Sequence, residues 1–499
     1  MKLHAWQADA LAWMRGREAA AGPTSPGGGV LADDVGMGKT AVAAALVAGD
    51  AAAGGGPSLV VAPKSLLSHW ACALREAGAG DVAVVHRPSA AAAAGAGRAA
   101  VVVASYSCWT STRRRPPPEL AGRDWARVVM DEAHCAKNPR GLTHAGLRAL
   151  RSPCRWALTA TPLQNHAGEL AALARLVGFD TDDPALLARE GLMLRRVAAG
   201  AAGAGGLALP GLVVADVELE FRHAHERELY GRVREETARA LALAAKAAGA
   251  CGASGASGAF ASARRQMEVE LRLRQAATHP AVYHASMARK RGVPHDVLLA
   301  HMEEAAREPP LPSTKFDYVC ESLAAHPDER ALVFVEWASE MDLLARYLVA
   351  RGLPAPVLFH GRLSVEAREA ATLAFRAADP PAAMLVNVKC GACGLNLQAA
   401  SRVYLMRGQW NPALEAQAIG RAHRQGQARD VRVERLSVAG TADARVGEVR
   451  RAKLRGITAA LRDDTLERRL AGRCAGRCAA HHAEGEGEGE GEAEAEAEA

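Results

Sequence analysis

Val30-Leu-Ala-Asp-Asp-Val-Gly-Met-Gly-Lys-Thr40 is the stretch that decides the fold class of this 499-residue chain. It follows a glycine-rich turn and precedes an alanine-rich helical segment. Gly36 and Gly38 allow the backbone to curl so that its N–H groups face phosphate oxygens, and the helix N-terminus adds its dipole. Lys39 is suited to neutralise phosphates, and Thr40 to bring a hydroxyl to Mg²⁺. The stretch therefore predicts a nucleotide site between a strand and a helix.

One position of this loop departs from the strict phosphate-loop pattern G-x-x-x-x-G-K-T. Asp33 stands where that pattern has its first glycine. The alternative interpretation is an ordinary turn before a helix. Because such a turn does not require Gly-Lys-Thr after a strand, the nucleotide site is the favoured reading.

Short apolar segments that follow the loop along the chain are typical of buried β-strands. They are β-branched, bounded by Gly, Pro or charge, and separated by helical stretches. In the first part of the chain they are residues 58–63, 100–104, 127–130 and 156–160, and they return at residues 331–335, 383–387 and 402–406. Strands that alternate with helices form parallel, doubly wound sheets. The fold class is therefore predicted to be α/β, with two parallel-sheet units.

This pattern also predicts the domain boundaries. We expect a first lobe at residues 1–195, a helical insertion at 196–310, a second lobe at 311–465 and a disordered tail at 466–499. The insertion has helical spacing at residues 225–246 and 264–277, which a flexible Gly/Ser/Ala-rich segment at 249–258 separates. From Glu484 onward the tail contains only Glu, Gly and Ala, which cannot form a packed core.

The charge of the chain is unevenly distributed. The whole sequence carries a formal charge of +6, and the part before Glu484 carries +14 because eight glutamates follow. A basic body fits a polyanion such as nucleic acid, although an arginine-rich solvated surface would have the same composition. Ten scattered cysteines without a secretory signal indicate a reduced, intracellular protein, and no apolar run is long enough to span a membrane.

An acidic pair follows one of the predicted strands, within Val128-Val-Met-Asp-Glu-Ala-His134. The carboxyl end of a parallel strand opens on the ligand crevice. Asp131 is therefore expected to hold Mg²⁺, and Glu132 to orient or deprotonate the attacking water. A solvated acidic pair is the alternative, and the presence of Lys39 upstream in the same unit argues against it.

Two further segments complete the candidate site. Thr159 and Thr161 follow the next strand, where their hydroxyls could connect the nucleotide site to another surface, although a simple turn at Pro162 would also explain them. In the second unit, Arg421 and Arg424 are three residues apart and would share one face of a helix. Arginines that face a γ-phosphate can act as fingers, whereas a basic helix facing solvent is the alternative.

Taken together and in this order, these segments resemble the motifs of Swi/Snf-type ATPases in helicase superfamily two. The matching segments are Trp6-Gln7, residues 33–40, 131–134 and 158–165 in the first unit, and residues 391–397, 410–412 and 417–427 in the second. The resemblance implies two RecA-like lobes that bind ATP and Mg²⁺ between them and move along double-stranded DNA.

The resemblance also implies roles for individual residues. The catalytic group is Lys39, Asp131, Glu132, Arg421 and Arg424, with Mg²⁺ held by Thr40 and Asp131. ATP would contact Gln7, Asp34, Gly36, Met37, Gly38, Lys39, Thr40 and Gln417, with Gln7 at the adenine. His134, Thr159, Thr161 and Gln164 would couple nucleotide to DNA. The DNA contacts or their braces would be Lys64, Ser105, Tyr106, His360, Gly394, Asn396 and Trp410.

Details of the motifs resemble the branch that contains the helicase-like transcription factor and the transcription termination ATPases. Many members of that branch carry a RING finger between the lobes. Here Cys251 is the only cysteine between Arg196 and Lys315, so no structural zinc site of that kind is expected. The resemblance implies a translocase that remodels nucleosomes or other protein–DNA complexes in a nucleus, including a host nucleus if a virus encodes it. A strand-separating helicase and a non-catalytic DNA-binding scaffold are the alternatives.

Overall fold

The computed structural model describes residues 2–22, 26–52, 54–87, 95–110, 116–197, 209–250, 256–292, 311–391, 397–461 and 473–475. Within these residues the chain forms two α/β lobes, each built on a seven-stranded sheet. The strand pairings in both sheets are parallel. The predicted fold class is therefore confirmed.

The first lobe has the strand order β3-β4-β2-β5-β6-β1-β7. Its strands are β1 (Gly27–Leu31), β2 (Ser58–Ala62), β3 (Val82–Val85), β4 (Val101–Ser105), β5 (Arg127–Asp131), β6 (Cys154–Leu158) and β7 (Met193–Leu194). Its helices are α1 (Ala5–Ala19), α2 (Lys39–Ala52), α3 (Leu67–Glu76), α4 (Pro118–Ala121), α5 (Leu142–Arg148), α6 (Gly168–Leu176) and α7 (Leu186–Arg189). Short 3₁₀ turns at Lys64–Leu66, Tyr106–Trp109 and Ala133–Ala136 follow β2, β4 and β5.

The second lobe has the strand order β10-β11-β9-β12-β13-β8-β14. Its strands are β8 (Leu212–Leu219), β9 (Arg330–Val335), β10 (Val357–Phe359), β11 (Ala382–Asn387), β12 (Arg402–Leu405), β13 (Val431–Val438) and β14 (Arg473–Ala475). The helices from this part of the chain are α8 (Ala224–Ala250), α9 (Ala256–Ala276), α10 (Pro280–Lys290), α11 (Thr314–Ala324), α12 (Ala338–Ala350), α13 (Val365–Ala377), α14 (Val388–Gly391), α15 (Pro412–Ala422) and α16 (Ala442–Leu461).

Helices cover both faces of each sheet, which explains the uninterrupted apolar runs in the sequence. Leu59, Val60 and Val61 of β2 are all fully buried, because successive side chains point to opposite faces and both faces are covered. The first sheet accordingly separates two apolar clusters, and the second sheet separates two more. The carboxyl ends of the strands carry the loops that form the site described below.

One predicted boundary needs correction, because the segment expected to be a helical insertion begins with a strand. β8 pairs in parallel with β13 along its whole length, from Leu212 opposite Val431 to Leu219 opposite Val438. This part of the segment therefore belongs to the second sheet, and helices α8 to α10 follow it. The pairing partner lies far away in the sequence, so local pattern alone did not indicate the strand.

Several predicted features lie wholly or partly outside the described residues. These are residues 251–255 of the flexible segment, Gly394 and Asn396, and residues 462–472 and 476–499 of the tail. Residues 473–475, which fall within the predicted tail, form the short strand β14 beside β8. Among the described helices, none combines the length and apolar character that crossing a membrane requires.

The two lobes are in direct contact through helix α16 and the segment before α15. Ile457 of α16 is 4% exposed and belongs to the apolar cluster of the first lobe, with Leu461 packed beside it. Lys453 Nζ donates to Asn165 Oδ1 at 3.1 Å, and Asn411 Nδ2 donates to Gln164 Oε1 at 3.1 Å. The last helix of the second lobe therefore extends back onto the first.

Candidate functional site between the lobes

The phosphate loop lies between β1 and α2. Gly36 and Gly38 adopt positive φ angles of 85° and 81°, which suit glycine and curl the loop. Lys39 Nζ donates to the carbonyl oxygens of Asp33 and Asp34 at 2.7 and 3.0 Å. Burial lowers the pKa of Lys39, although the negative charges of Glu132 and Asp33 act to raise it. The ammonium group is thus held inside the curl, where phosphate oxygens could replace the carbonyl groups.

The departure at Asp33 has a structural explanation. Arg196, which follows β7, forms an ion pair with the Asp33 carboxylate, and its Nε lies 3.1 Å from Asp33 Oδ1. The backbone N–H of Arg196 donates to the same oxygen at 3.1 Å, and Arg196 Nη1 donates to the carbonyl of Trp6 at 2.6 Å. Asp33 therefore anchors the loop to the end of the first lobe. Local sequence does not indicate this contact, because its partners are 163 residues apart.

Gln7, the residue predicted to contact adenine, lies in α1 and contacts the phosphate loop. Gln7 Nε2 donates to the carbonyl of Met37 at 3.2 Å, and the indole of Trp6 donates to the same oxygen at 3.3 Å. A Cβ atom at Gly38 would lie 2.2 Å from Gln7 Nε2, so this approach requires glycine. Helix α1 and the phosphate loop therefore form one unit, with Gln7 at its edge.

The acidic pair terminates β5, as predicted. Asp131 is 5% exposed, its Oδ2 accepts from the indole N–H of Trp70 at 2.7 Å, and its Oδ1 accepts from the backbone N–H of Glu132 at 3.0 Å. Glu132 has φ 50°, the one positive value among the non-glycine residues that the structure describes. Strained backbone of this kind is concentrated at functional sites, where surrounding contacts hold it in place.

The two carboxyl groups differ in their electrostatics. Burial and the neighbouring charge of Glu132 raise the pKa of Asp131 to about 6. Burial alone would also raise the pKa of Glu132, but the hydrogen bond and charge of His134, with the charges of Lys39 and Arg421, lower it. Glu132 is therefore the carboxylate that remains ionised, as a residue that orients or deprotonates water must be.

The residues present fit Mg²⁺. The hydroxyl of Thr40 and the carboxylate of Asp131 are oxygen donors, which this cation prefers. Two adjacent, largely buried carboxyl groups also favour a cation beside them, as the raised pKa of Asp131 indicates. In the described part of the chain no three His, Cys, Asp or Glu side chains form a metal cage. Water and oxygens of the nucleotide would therefore complete the coordination shell of Mg²⁺.

The four predicted coupling residues form one chain of contacts. His134 Nδ1 lies 3.2 Å from Glu132 Oε2 and 3.4 Å from Thr159 Oγ1. Thr159 Oγ1 accepts from the backbone N–H of Thr161 at 3.1 Å, and Thr161 Oγ1 accepts from Gln164 Nε2 at 3.1 Å. Gln164 Oε1 in turn accepts from Asn411 of the second lobe. These contacts connect the carboxylate of Glu132 to the residue beside Trp410.

His134 carries a positive charge in this chain of contacts. Burial alone would lower its pKa, but hydrogen bonds to Cys135 and Glu132, and the charge of Glu132, raise the pKa of His134 to about 10. The imidazolium therefore balances the charge of Glu132 near neutral pH.

The arginines of the second lobe lie opposite the phosphate loop, although not on one helical face. Helix α15 ends at Ala422, so Arg424 is beyond it and the predicted shared face is wrong. The reason is the turn at His423, which has φ −88° and ψ 87°. Arg421 is 6% exposed and its charge acts on Glu132, while a Cβ atom at Gly36 would lie 3.3 Å from Arg424 Cβ. Both arginines nevertheless reach the site.

Gln417, four residues before Arg421, is 2% exposed. Among the described residues, neither amide atom of Gln417 has a hydrogen-bond partner. A buried amide without a partner is costly, which suits a residue that completes its bonds with a ligand. This position agrees with its predicted place in the ATP site.

The predicted DNA contacts divide into exposed and buried residues. Lys64 is exposed on the turn before α3, and His360 and Trp410 are partly exposed, with the guanidinium of Arg274 5.7 Å from the Trp410 ring centre. Ser105 and Tyr106 are buried, and Tyr106 donates to the carbonyl of Asp131 at 2.8 Å. Tyr106 therefore braces β5, while Ser105 Oγ accepts from the backbone N–H of Ser107 at 3.3 Å. Neither side chain is presented to a partner. Gly394 and Asn396 are outside the described residues.

Two family models match the chain. The SNF2-related domain matches residues 6–181, and the helicase conserved C-terminal domain matches residues 314–426. The first model includes the phosphate loop and the acidic pair, and the second includes α15, Arg421 and Arg424. The matches therefore correspond to the two lobes that contribute to the site.

Several known proteins are similar to the chain. A probable global transactivator of Orgyia pseudotsugata multicapsid polyhedrosis virus is 31% identical over 454 residues, which cover 86% of this chain and 84% of that protein. DNA repair protein RAD5B of Arabidopsis thaliana is 26% identical over 461 residues, which cover 68% of this chain and 35% of that protein. A Sulfolobus solfataricus SWI2/SNF2 ATPase core in complex with dsDNA is 20% identical, covers 94% of both chains and has a TM-score of 0.37.

Proposed function

This chain belongs to the Swi/Snf family of helicase-like ATPases, and we propose that it hydrolyses ATP to move along double-stranded DNA. The observation that carries the proposal is the site between the lobes. Asp131 and Glu132 of the first lobe face a cleft that Arg421 of the second lobe also reaches, and Arg424 lies beside Gly36. Groups from two lobes that converge on one phosphate site suit hydrolysis that is controlled by closure of the lobes.

The proposed chemical step uses groups of this chain in distinct roles. Lys39 binds the phosphates, and Glu132 orients the attacking water and accepts its proton. Arg421 and Arg424 stabilise the charge that develops on the transferred phosphoryl group. Thr40 and Asp131 hold Mg²⁺, which neutralises phosphate charge when bound.

The proposed transfer of information to DNA follows the contacts from Glu132 through His134, Thr159, Thr161 and Gln164 to Asn411. Because Trp410 adjoins Asn411, a change at the nucleotide can alter the surface that is expected to contact duplex DNA. Lys64 and His360 would contact the phosphate backbone on either lobe. The named relatives in repair and transactivation support action in a nucleus on nucleosomes or other protein–DNA complexes.

ATP hydrolysis with and without duplex DNA tests the catalytic part of the proposal. We expect the rate to rise with DNA, and to fall at least a hundredfold in Lys39→Ala and Glu132→Gln, since removal of a general base typically costs roughly 10²–10⁴. Lys246→Ala and Glu366→Gln remove the same groups from exposed positions and should keep the wild-type rate. Equal rates in all five proteins would contradict the assignment.

Displacement of a third strand from triplex DNA tests movement along the duplex. We expect ATP-dependent displacement without separation of the duplex strands. Efficient unwinding of a plain duplex would instead identify a strand-separating helicase. Duplex affinity should also fall linearly with salt on logarithmic axes, because phosphate contacts release counterions.

A further inference from the structure

Trp70 of α3 makes a contact that the functional assignment above does not use. Its side chain is fully buried, and its indole Nε1 lies 2.7 Å from Asp131 Oδ2. A hydrogen bond from a neutral donor to a buried carboxylate is short and strong, because the acceptor is charged and water is excluded. The contact joins α3 to the end of β5, although the two residues are 61 positions apart in the sequence.

Asp131 is held by three hydrogen bonds, two at its carboxylate and one at its backbone carbonyl. Trp70 holds Oδ2, the backbone N–H of Glu132 donates to Oδ1, and Tyr106 holds the Asp131 carbonyl at 2.8 Å. Of the two side-chain donors, only Trp70 acts on the carboxylate itself. Rotation of the Asp131 side chain would therefore break the Trp70 bond as well as the bond from the Glu132 backbone. The Asp131 carboxylate also lies close enough to the phosphate loop for the charge of Lys39 to act on it.

We propose that Trp70 is a positioning residue, whose indole N–H holds the Asp131 carboxylate in the orientation that receives hydrated Mg²⁺. This inference rests on the proposed nucleotide site. Groups that orient a metal-binding side chain typically change metal affinity about 10–100-fold when they are removed. An indole can fill this role without titrating or competing for the cation.

The helix that carries Trp70 adds a second property. α3 starts directly after the exposed turn at Lys64–Leu66, which holds the predicted DNA contact Lys64. Trp70 is thus less than two helical turns from that contact. The helix that orients Asp131 therefore begins beside a predicted DNA contact.

Trp70→Phe tests the proposal, because it keeps an aromatic ring and removes the N–H. The probe is a fluorescent ADP analogue, titrated into the full chain in EDTA and again in Mg²⁺. We expect affinity in EDTA to stay within about twofold of wild type, and the gain on adding Mg²⁺ to shrink about tenfold or more. An unchanged gain would overturn the proposal.

Trp156→Phe is a matched control. Trp156 is also fully buried in the first lobe, and its Nε1 donates to a carboxylate, Glu18 Oε1, at 2.7 Å. This variant loses the same kind of bond at a distance from Asp131 and should retain the wild-type gain from Mg²⁺. An equal loss in both variants would indicate a general structural effect and would also overturn the proposal.

The proposal remains testable if Trp70→Phe does not fold. In wild-type protein with ¹⁵N-labelled indoles, the Trp70 resonance should move when Mg²⁺ is added to the ADP-bound protein, whereas that of Trp156 should not. Failure of the wild-type chain to bind the ADP analogue would reject the nucleotide site itself. Normal binding with an Mg²⁺ gain independent of Trp70 would reject only this inference.

Discussion

Gly420 shows how much a single position can control at the contact between the lobes. It lies in α15, and a Cβ atom there would be 2.5 Å from Cγ1 of Val35 in the phosphate loop. Contacts that close do not occur in real structures, so any other residue would have to push the loop or the helix away. Glycine at this position therefore leaves room for the side chain of Val35.

Replacing this glycine should slow hydrolysis. In Gly420→Ala the added methyl group meets Val35, and overpacking of this kind costs roughly 1–3 kcal/mol, which corresponds to about five- to 150-fold in rate if it acts on the closed arrangement. DNA-stimulated ATP hydrolysis is the measurement, and Val35→Ala in the same chain should restore most of the loss. Gly456→Ala in α16 is the control, since nothing lies within 4 Å of its Cβ position. A loss that Val35→Ala does not relieve would argue against a direct clash.

Residues of the site could be predicted where a motif of a few neighbouring residues defines their role. Lys39, Asp131 and Glu132 could be found because each follows a strand in a motif a few residues long. Trp70 and Arg196 could not, since each acts on a partner that only the folded sheet brings near. The motif that contains Tyr106 predicts a contact with DNA or a brace for one, and in the fold its hydroxyl donates to the carbonyl of Asp131 at the end of β5.

At the scale of elements, most strands could be predicted because burial on both faces leaves a continuous apolar run. β8 could not be predicted in this way, because it lacks a continuous apolar run. Its side chains alternate between buried and more exposed over part of its length, and Asp216 and Glu218 interrupt the run. Only its pairing with β13 assigns it to the second sheet. The end of α15 was also missed, because the turn at His423 has no glycine or proline to indicate it.

Helix α10 is capped by a histidine, and this cap should make the second lobe sensitive to acid. His279 is 1% exposed, its Nδ1 accepts from the backbone N–H of Ala281 at 3.0 Å, and its Nε2 lies 3.0 Å from the Leu311 carbonyl. Only the neutral ring can accept at one nitrogen and donate at the other. Burial accordingly lowers the pKa of His279 to about 4.

The expected pH dependence follows from that lowered pKa. Between pH 6.5 and about 4 the unfolded chain binds a proton at His279 that the folded chain does not, so stability is full above pH 6.5 and falls as the pH falls. His279→Asn keeps a capping side chain without a titrating ring. In urea unfolding, the free energy of unfolding of the wild type relative to that of His279→Asn should fall by roughly 3 kcal/mol between pH 8 and pH 4. Parallel pH profiles would contradict this assignment.

At the scale of the whole molecule, two of the hydrogen bonds that cross between the lobes have equal lengths but different expected roles. Asn411 continues the contacts that begin at Glu132, whereas Lys453 binds Asn165 outside that chain. The family and the two-lobe architecture could be predicted from motif order. The specific contacts between the lobes could not, because they depend on how two separately folded sheets meet.

Asn411→Ala should weaken the link between DNA binding and hydrolysis. We expect the stimulation of ATP hydrolysis by duplex DNA to fall roughly two- to tenfold, which is the usual worth of one hydrogen bond, while basal hydrolysis changes less. Lys453→Ala removes the other bond and should leave the stimulation ratio near that of wild type. Equal reductions in both variants would show that any contact between the lobes suffices.

The packing of α16 on the first lobe has a consequence for the populations of joined and parted lobes. Full burial of an isoleucine side chain contributes roughly 1.5–3 kcal/mol, so Ile457 alone favours the joined arrangement by about ten- to a hundredfold. A ligand can reverse that preference only if it binds the parted arrangement more tightly by at least the same factor. The contribution of Ile457 therefore favours joining the lobes, and whatever parts them has to supply free energy to offset it.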